Sequence, residues 1–528
     1  MFRRPMKLVQ CVAYSTRWRS TAAAVKIDAG DSSYMQQLKA DWQTAKSYND
    51  LPGPSRWRMF RGFLKGGEFT NLDMRELMFL LRDQYGDTFL LPGVFGMPDN
   101  VVTFNVENFE KTYRTEGQWP ERPGADVVVH YRNNRPDGFF KDCIGLFSTG
   151  ENWGQLRSKA NPVLMQHRNA ALYLQPMQRV NQQFIQRIRD IRDEQSQEVP
   201  GNFLRDINHL TFESIAVVAL DRELGLLRHA DQAPLAQKLF NNLQKFMQGF
   251  YELTIMPSVY KYVPTPKYKR FSNAMDEIFD VCSHYVNEAI NRIEQKPANA
   301  IGTQSVLEQL LRVDRKFATV MSMDMLMGGV DTTSSALSGI MLNLAKNPEK
   351  QAKLREEIVA KLPNPSDEFK FNDMKSLPYL RAIIKESMRI YPVVFGNLRS
   401  TGADIVLDGY RIPKGTRVLM NSNLLLDDER YYPRAKEFLP ERWLREQSNE
   451  NEKLLADNPS PFVYLPFGFG PRMCVGKRIV DMEMEITVSN LVRNFNIEYN
   501  YPTENAFRIT FINSPVIPLK FKFTDIKY

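Results

Sequence analysis

Residues 317–345 constrain this chain more than any other stretch, because the only charged side chains among them are Asp324 and Asp331. A helix that is apolar around its whole circumference belongs inside a protein, since it has no face to give to water. Polar residues interrupt the run, so no window reaches the roughly 18 mostly apolar residues that a membrane-spanning helix needs. The segment is therefore expected to be a helix buried by protein. A chain of 528 residues can supply the shell, as one large domain or two to three ordinary ones. Its 43% hydrophobic and 25% charged residues exclude disordered, collagen-like and low-complexity classes.

Helical periodicity dominates from about 150 to 390, with breaks at Val199-Pro200-Gly201 and across the three prolines of 256–266. Leu51-Pro52-Gly53-Pro54 is a stiff break suited to the start of a folded domain. Residues 89–106 and 401–420 read as short strands around turns, and a helix after 478 precedes a strand-like tail near 504–523. There is no internal repeat and no long linker. The expected fold is mainly α with small β-sheets at its edges, one unusually large domain over 28–528.

The formal net charge of +8 points at first to an acidic partner such as nucleic acid or a membrane surface. Its location changes that meaning. Arg3, Arg4, Lys7, Arg17, Arg19 and Lys26 fall in residues 1–27, which hold no Asp or Glu, and without these six the rest of the chain carries about +2. An Arg-rich, Ser/Ala-containing, acid-poor leader has the composition of a mitochondrial transit peptide, with a disordered basic tail as the alternative. No continuous apolar stretch of the kind a secretory signal needs is present. The nucleic-acid reading falls away.

Four cysteines (Cys11, Cys143, Cys282, Cys474) are too few and too scattered for a disulfide scaffold and suggest a reducing compartment. One of them lies in an informative loop, Phe467-Gly468-Phe469-Gly470-Pro471-Arg472-Met473-Cys474-Val475-Gly476. A thiol ligates metal as thiolate, and a thiolate needs positive charge, hydrogen-bond donors or a metal. The glycines let backbone N–H groups approach the sulfur, and the helix beginning at Lys477-Arg478 puts its N-terminus beside it. Phe467 is placed to shield the site and Arg472 to pair with an anion. Tetrahedral zinc wants four ligands, and no second Cys or His is nearby. A phosphate-binding loop needs four residues between its glycines and Ser/Thr after the lysine; here there are five, followed by Arg478. A protease-type cysteine needs a partner His, and none of the five His lies near. One axial thiolate suffices for haem. Taken alone, the motif also fits a small buried cysteine with no chemistry.

Phe467, Gly470, Arg472, Cys474 and Gly476 fill a ten-residue F-x-x-G-x-R-x-C-x-G pattern, which resembles the haem-binding signature of the cytochrome P450 family. The resemblance covers roughly residues 50–525 and is to insect mitochondrial-clan members of the family-12 type. It implies a triangular helical prism around haem b (iron protoporphyrin IX), with Cys474 as the axial metal ligand.

The remaining motifs are ambiguous alone and acquire roles through that resemblance. Gly328-Gly329-Val330-Asp331-Thr332-Thr333 breaks helix grammar, at about 1 kcal/mol per interior glycine, and can equally end one helix and cap the next. The resemblance makes it the oxygen-handling site, where glycines thin the helix while Asp331 and Thr332 manage oxygen and protons. Trp153 and Arg157, four apart on one helix face, otherwise read as packing plus a solvated Arg. With Arg399 and Arg472 they resemble the family's haem-propionate ligands, for which the planar guanidinium fork is suited. Glu386 and Arg389, three apart on a helix, form an ordinary pair by themselves. They resemble the E-x-x-R element that Arg442, in Pro440-Glu441-Arg442-Trp443, completes as a buried structural network.

Arg381 and Lys385 fall four apart on one helix face, by default a solvated one. With Lys477 and Arg478, the resemblance makes them a docking surface for an acidic [2Fe–2S] ferredoxin supplied by its NADPH-dependent reductase. The family analogy lines the pocket from 121–150, 246–260, the buried helix, 393–397 and the tail near Phe511–Ser514. The apolar stretch 246–260 fits equally a core helix with a loop or a segment dipping into the inner mitochondrial membrane. The implied activity is oxidation of a lipophilic small molecule on the matrix side of that membrane, the substrate being a xenobiotic, an insecticide or a steroid. An ecdysteroid-specific hydroxylase is one alternative. A thiolate-haem enzyme that rearranges peroxides, and a non-catalytic haem carrier or sensor, are rivals that need neither the Asp331–Thr332 pair nor an electron-donor face.

Overall fold

In a computed structural model the described residues run from 32 to 527, apart from 96, 296–303, 365–366, 371–372 and 445–459. The basic leader, with Cys11, lies outside them. The first helices are α1 (Ser32–Thr44), α2 (Arg56–Gly62), α3 (Met74–Tyr85), α4 (Val106–Thr115), α5 (Asp126–Asn133) and α6 (Gly150–Leu164). The helical middle follows with α7 (His167–Ala171), α8 (Leu174–Ile191), α9 (Leu204–Ala219), α10 (Pro234–Thr254) and α11 (Pro266–Glu294). Then come α12 (Val306–Val313), α13 (Arg315–Lys346), α14 (Pro348–Val359), α15 (Pro378–Ile390) and α16 (Lys477–Asn494). The Pro-rich breaks expected near 200 and 256–266 separate α8 from α9 and α10 from α11.

Local chemistry places these ends. Asp314 caps α13 by accepting from Phe317 N–H at 2.9 Å, satisfying one of the helix's orphan donors. Pro348 at the start of α14 forbids continuation of α13 beyond Asn347. Between them α13 runs through the core and packs on α9, α11, α12, α15 and α16. Every residue from Phe317 to Ala345 is buried except Gly328, Gly329, Asp331 and Thr332. The helix passes through both glycines without ending, so they do not terminate one helix and cap another. They serve different purposes. A Cβ on Gly329 would lie 2.9 Å from Ile215, so this glycine lets α9 pack closely, whereas a Cβ on Gly328 would meet nothing within 4 Å.

A second core joins α2, α3 and α4 to a four-stranded sheet of β1 (Thr88–Leu91), β2 (Asn100–Thr103), β3 (Asn397–Ser400) and β6 (Arg417–Met420). Its order is β1-β2-β6-β3, with β2 parallel to β6 and the other neighbours antiparallel. Arg399 pairs with Val418 in this register, so the sheet fixes the arginine's place. Smaller antiparallel pairs complete the set: β4 (Ile405–Leu407) with β5 (Tyr410–Ile412), and β7 (Phe495–Glu498) with β10 (Lys522–Asp525). β8 (Phe507–Ile509) pairs with β9 (Asn513–Pro515).

The stretch 246–260 divides. Phe246, Phe250 and Leu253 on α10 are buried in the main core, so the helical half is packing. The exposed apolar side chains come at its end and just beyond, at Val259, Tyr262 and Val263.

Candidate functional site

The cysteine loop makes one short turn, Gly470–Arg472, before α16 begins at Lys477. Cys474 N–H donates to Phe467 O at 2.8 Å, closing the loop on itself. Cys474 is surrounded by protein and yet keeps accessible surface. Burial raises its pKa, while Gly476 N–H and the Arg157 and Arg122 guanidinium groups act in the opposite direction. This is the donor and charge environment a thiolate requires. Phe467 packs at the edge of the main core with Lys477 Nζ 4.7 Å from its ring centre.

Cations gather around this loop from four parts of the chain. Arg472 Nε donates to Pro120 O at 2.8 Å and its Nη2 to Ser148 O at 3.0 Å, with the guanidinium 3.8 Å over the Trp153 ring. Arg157, one turn along α6 from Trp153, donates to Met473 O at 2.8 Å, while its buried Nε has no partner. Arg399 donates to Glu116 Oε2 at 2.9 Å and to Phe469 O at 3.5 Å. Arg122 makes no hydrogen bond or ion pair among the described residues. Burial lowers the pKa of Arg122, of Arg157 to about 10, and of Arg472 to about 9. Burial pushes Glu116, the carboxylate paired with Arg399, up to about 7 against the pull of that arginine. Arg157, Arg399 and Arg472 are buried, and Arg122 is enclosed by protein yet keeps accessible surface; these four guanidinium groups against one carboxylate leave a surplus of positive charge, which is costly where it is buried unless anions meet it.

That surplus, the accessible thiol and the open side of α13 at Gly328 fit haem b, a flat macrocycle bearing two carboxylates. Cys474 would ligate its iron, and Arg122, Arg157, Arg399 and Arg472 would stand around its propionates, with Trp153 backing Arg472.

On α13, Thr332 Oγ1 donates to Gly328 O at 2.7 Å, and Gln244 Nε2 on α10 donates to Asp331 Oδ1 at 3.2 Å. Burial raises the Asp331 pKa, favouring a carboxyl that holds a proton. An acid that can carry a proton thus sits next to a hydroxyl at the one part of 317–345 that is not buried.

Glu386 is the hub of a closed network. Its carboxylate accepts from Arg389 Nε and Nη2 at 3.0 and 2.9 Å and from Arg442 Nε at 2.9 Å. Trp443 Nε1 and Leu439 N–H also donate to it, at 2.8 and 3.0 Å. The remaining Arg389 N–H groups reach Leu426 O and Glu437 O, which ties α15 to the segment before the cysteine loop.

Arg381, Lys385 and Lys477 come together, since Lys477 and Arg381 both depress the pKa of Lys385 after burial has done so. Arg381 pairs with Glu485 at 3.0 Å and Lys477 with Asp481, and Lys385 lies half-buried with Nζ 5.6 Å over the Trp443 ring. The basic face is thus less free than helix spacing implies, because α16 brings two carboxylates to it. Arg478 follows Lys477 on the first turn of α16.

Three participants were not singled out from sequence: Arg122, Glu116 and Gln244. Arg122 sits between Glu121 and Pro123 in an acidic-looking, Pro-flanked stretch, and only the fold reveals it as a cation without an anion.

The family model described as Cytochrome P450 matches residues 51–520. The chain is 63% identical over 520 residues to "Probable cytochrome P450 12c1, mitochondrial" of Drosophila melanogaster, covering 98% of this chain and 99% of that protein. It is 47% identical to "Cytochrome P450 CYP12A2" of Musca domestica, over 96% of this chain and 97% of that protein. Among solved structures it is similar to retinoic acid-bound cyanobacterial CYP120A1, with a TM-score of 0.68 at 19% identity over 87% of this chain and 96% of that one. The cytochrome P450DA heme domain gives 0.71 at 18% identity, over 90% and 97% of the two chains.

Proposed function

The chain belongs to the cytochrome P450 family of haem b-dependent monooxygenases, and from that premise we propose that it oxidises a lipophilic xenobiotic or steroid in mitochondria. The observation that carries the reading is the joint environment of Cys474: an accessible thiol inside the protein, beside Arg122 and Arg157, which no carboxylate among the described residues pairs. Bound haem would supply the O2 chemistry, in which one oxygen atom enters the substrate and the other leaves as water with two electrons and two protons. The protein's own part is to hold Cys474 as thiolate through Gly476 N–H and nearby guanidinium charge, and to neutralise the propionates with the arginine cluster. Thr332 and Asp331 present a hydroxyl and a protonatable carboxyl at the accessible side of α13, where a proton is needed.

Electrons come from NADPH through a ferredoxin reductase and an acidic [2Fe–2S] ferredoxin, docking where Arg381, Lys385, Lys477 and Arg478 gather. The mitochondrial, matrix-side location draws support from the acid-poor basic leader and from relatives named mitochondrial. No helix among the described residues is long and apolar enough to cross a membrane. Exposed Trp57 and Phe95, linked through Phe60 at ring distances of 5.6 and 5.3 Å, together with Tyr262 and Val263, support peripheral contact with the inner-membrane surface. Such contact would deliver lipophilic substrate from lipid.

Reconstitution tests this reading. The protein should convert a lipophilic substrate only when NADPH, reductase and ferredoxin are all present. Turnover with peroxide alone, or tight haem binding with no turnover of ecdysteroids or lipophilic xenobiotics, would favour the peroxide-rearranging or carrier readings instead.

A further inference from the structure

Glu116 directly follows α4 and brings a carboxylate into the arginine cluster, where the chemistry above gives it no task. Its side chain is 3% exposed and that of Arg399 is 1% exposed. Two glycines seat it there. A Cβ on Gly402 would lie 2.2 Å from Thr115 O and 3.0 Å from the Glu116 carbonyl carbon, so the chain after β3 closes on this backbone. A Cβ on Gly470 would lie 2.9 Å from Glu116 Oε1, so the carboxylate rests against the cysteine loop.

Arg399 links this carboxylate to the site. A guanidinium has five N–H donors. Nε donates to Glu116 Oε2 at 2.9 Å, Nη1 to Leu398 O at 3.0 Å and Nη2 to Phe469 O at 3.5 Å. One N–H on each terminal nitrogen is left without a partner among the described residues, so Arg399 can hold Glu116 and a second anion together. The other groups facing Glu116 are Tyr113 from α4 and Arg472 from the cysteine loop, with Arg122 acting on Tyr113, Arg399 and Arg472. Burial drives the Tyr113 phenol up to about 12, and Arg472, lowered to about 9, keeps its charge below that. Burial pushes Glu116 to about 7 against the pull of Arg399 and Arg472, so its charge changes near neutral pH. When ionised, Glu116, the Cys474 thiolate and the two haem carboxylates bring four negative charges to the four guanidinium groups. An electron added to a site so balanced raises the proton affinity of a carboxylate within it.

We infer that Glu116 is a positioning residue for the reduction step: acting through Arg399, its charge lowers the reduction potential of the haem site, and it binds a proton when the iron gains an electron. The inference rests on the haem-enzyme reading above. The electron, from ferredoxin, takes ferric iron to ferrous; the proton, from solvent, takes the carboxylate to the carboxylic acid.

Redox titration of the substrate-free, haem-loaded protein tests this. Between about pH 6 and pH 8 the wild-type potential should fall by the equivalent of at least a threefold change in the ferrous-to-ferric ratio, about 28 mV at 59 mV per tenfold. Glu116→Gln should match wild type near the lower pH, stay level as pH rises, and so end higher. Infrared difference spectra give a reading that needs no variant: a carboxylic acid band should grow when the wild-type protein is reduced at neutral pH. A Glu116 that only held the fold together would, as Gln, lower the melting temperature or haem retention and leave the pH slope in place. That preserved slope, or a level wild-type potential with no such band, would overturn the inference. A wild-type protein without the thiolate-type spectrum of the reduced CO complex would contradict the haem reading and this inference together, whereas that spectrum with a level potential overturns this inference alone.

Discussion

Replacing Glu386 by Gln keeps the shape of the side chain and removes its charge from the centre of a buried network. In the native protein the carboxylate takes five hydrogen bonds of 2.8–3.0 Å, three of them from the Arg389 and Arg442 guanidinium groups. Glu386, Arg389 and Arg442 side chains have no accessible surface. The amide has one acceptor oxygen and turns two N–H donors toward neighbours that are all donors. Breaking a buried ion pair on one side costs about 3–5 kcal/mol, against a total stability of roughly 5–15 kcal/mol. An exposed pair serves as the yardstick: Glu277→Gln, opposite Lys238 with side-chain exposures of 39% and 49%, should cost about 0–1 kcal/mol. Urea unfolding of both variants under identical conditions measures the difference. A Glu386→Gln variant that loses no more stability than Glu277→Gln would refute the claim that this network ties α15 to the segment before the cysteine loop.

Glu483 on α16 offers a pH test. It is 2% exposed, its Oε1 has no hydrogen-bond partner, and burial pushes its pKa to about 8 from 4.5. The folded state holds this proton more tightly than the unfolded one, so the native carboxyl costs nothing below about pH 4.5 and increasingly destabilises the fold toward pH 8. Glu483→Gln should therefore match wild type near pH 4.5 in urea unfolding and exceed it by about 1–3 kcal/mol at pH 8; a difference independent of pH would count against the assignment. Thr332→Ala removes the hydroxyl that bonds Gly328 O, and should raise NADPH consumed per product formed; full coupling in the variant would remove Thr332 from proton handling. Lys477→Glu should raise the KM for ferredoxin, with a gap that narrows as salt is added; equal KM values at low salt would place docking elsewhere.

What could be read from sequence was whatever one segment fixes alone. The scarcity of charge over 317–345, with only Asp324 and Asp331, was enough to bury α13, and the ten residues around Cys474 carry their own chemistry. The glycine pair was half legible: the sequence flags both, but only packing against Ile215 separates the close-contact glycine from the open one. Roles that depend on a partner far along the chain were hidden. Arg399 meets Glu116, 283 residues away, and Asp324 meets Arg132 across 192 residues. Helix spacing alone put Arg381 and Lys385 on an outer face, but it could not supply Glu485 or Trp443, which occupy them. Hydropathy likewise could not divide 246–260, because a core helix and an exposed loop are equally apolar there.

One thiolate, Cys474, would hold the haem on which all the proposed chemistry depends. The most direct measurement is the reduced CO spectrum of wild type beside Cys474→Ala. Wild type should give the thiolate-type band and the variant should lose it. A variant that keeps that band would contradict the assignment of Cys474 as ligand.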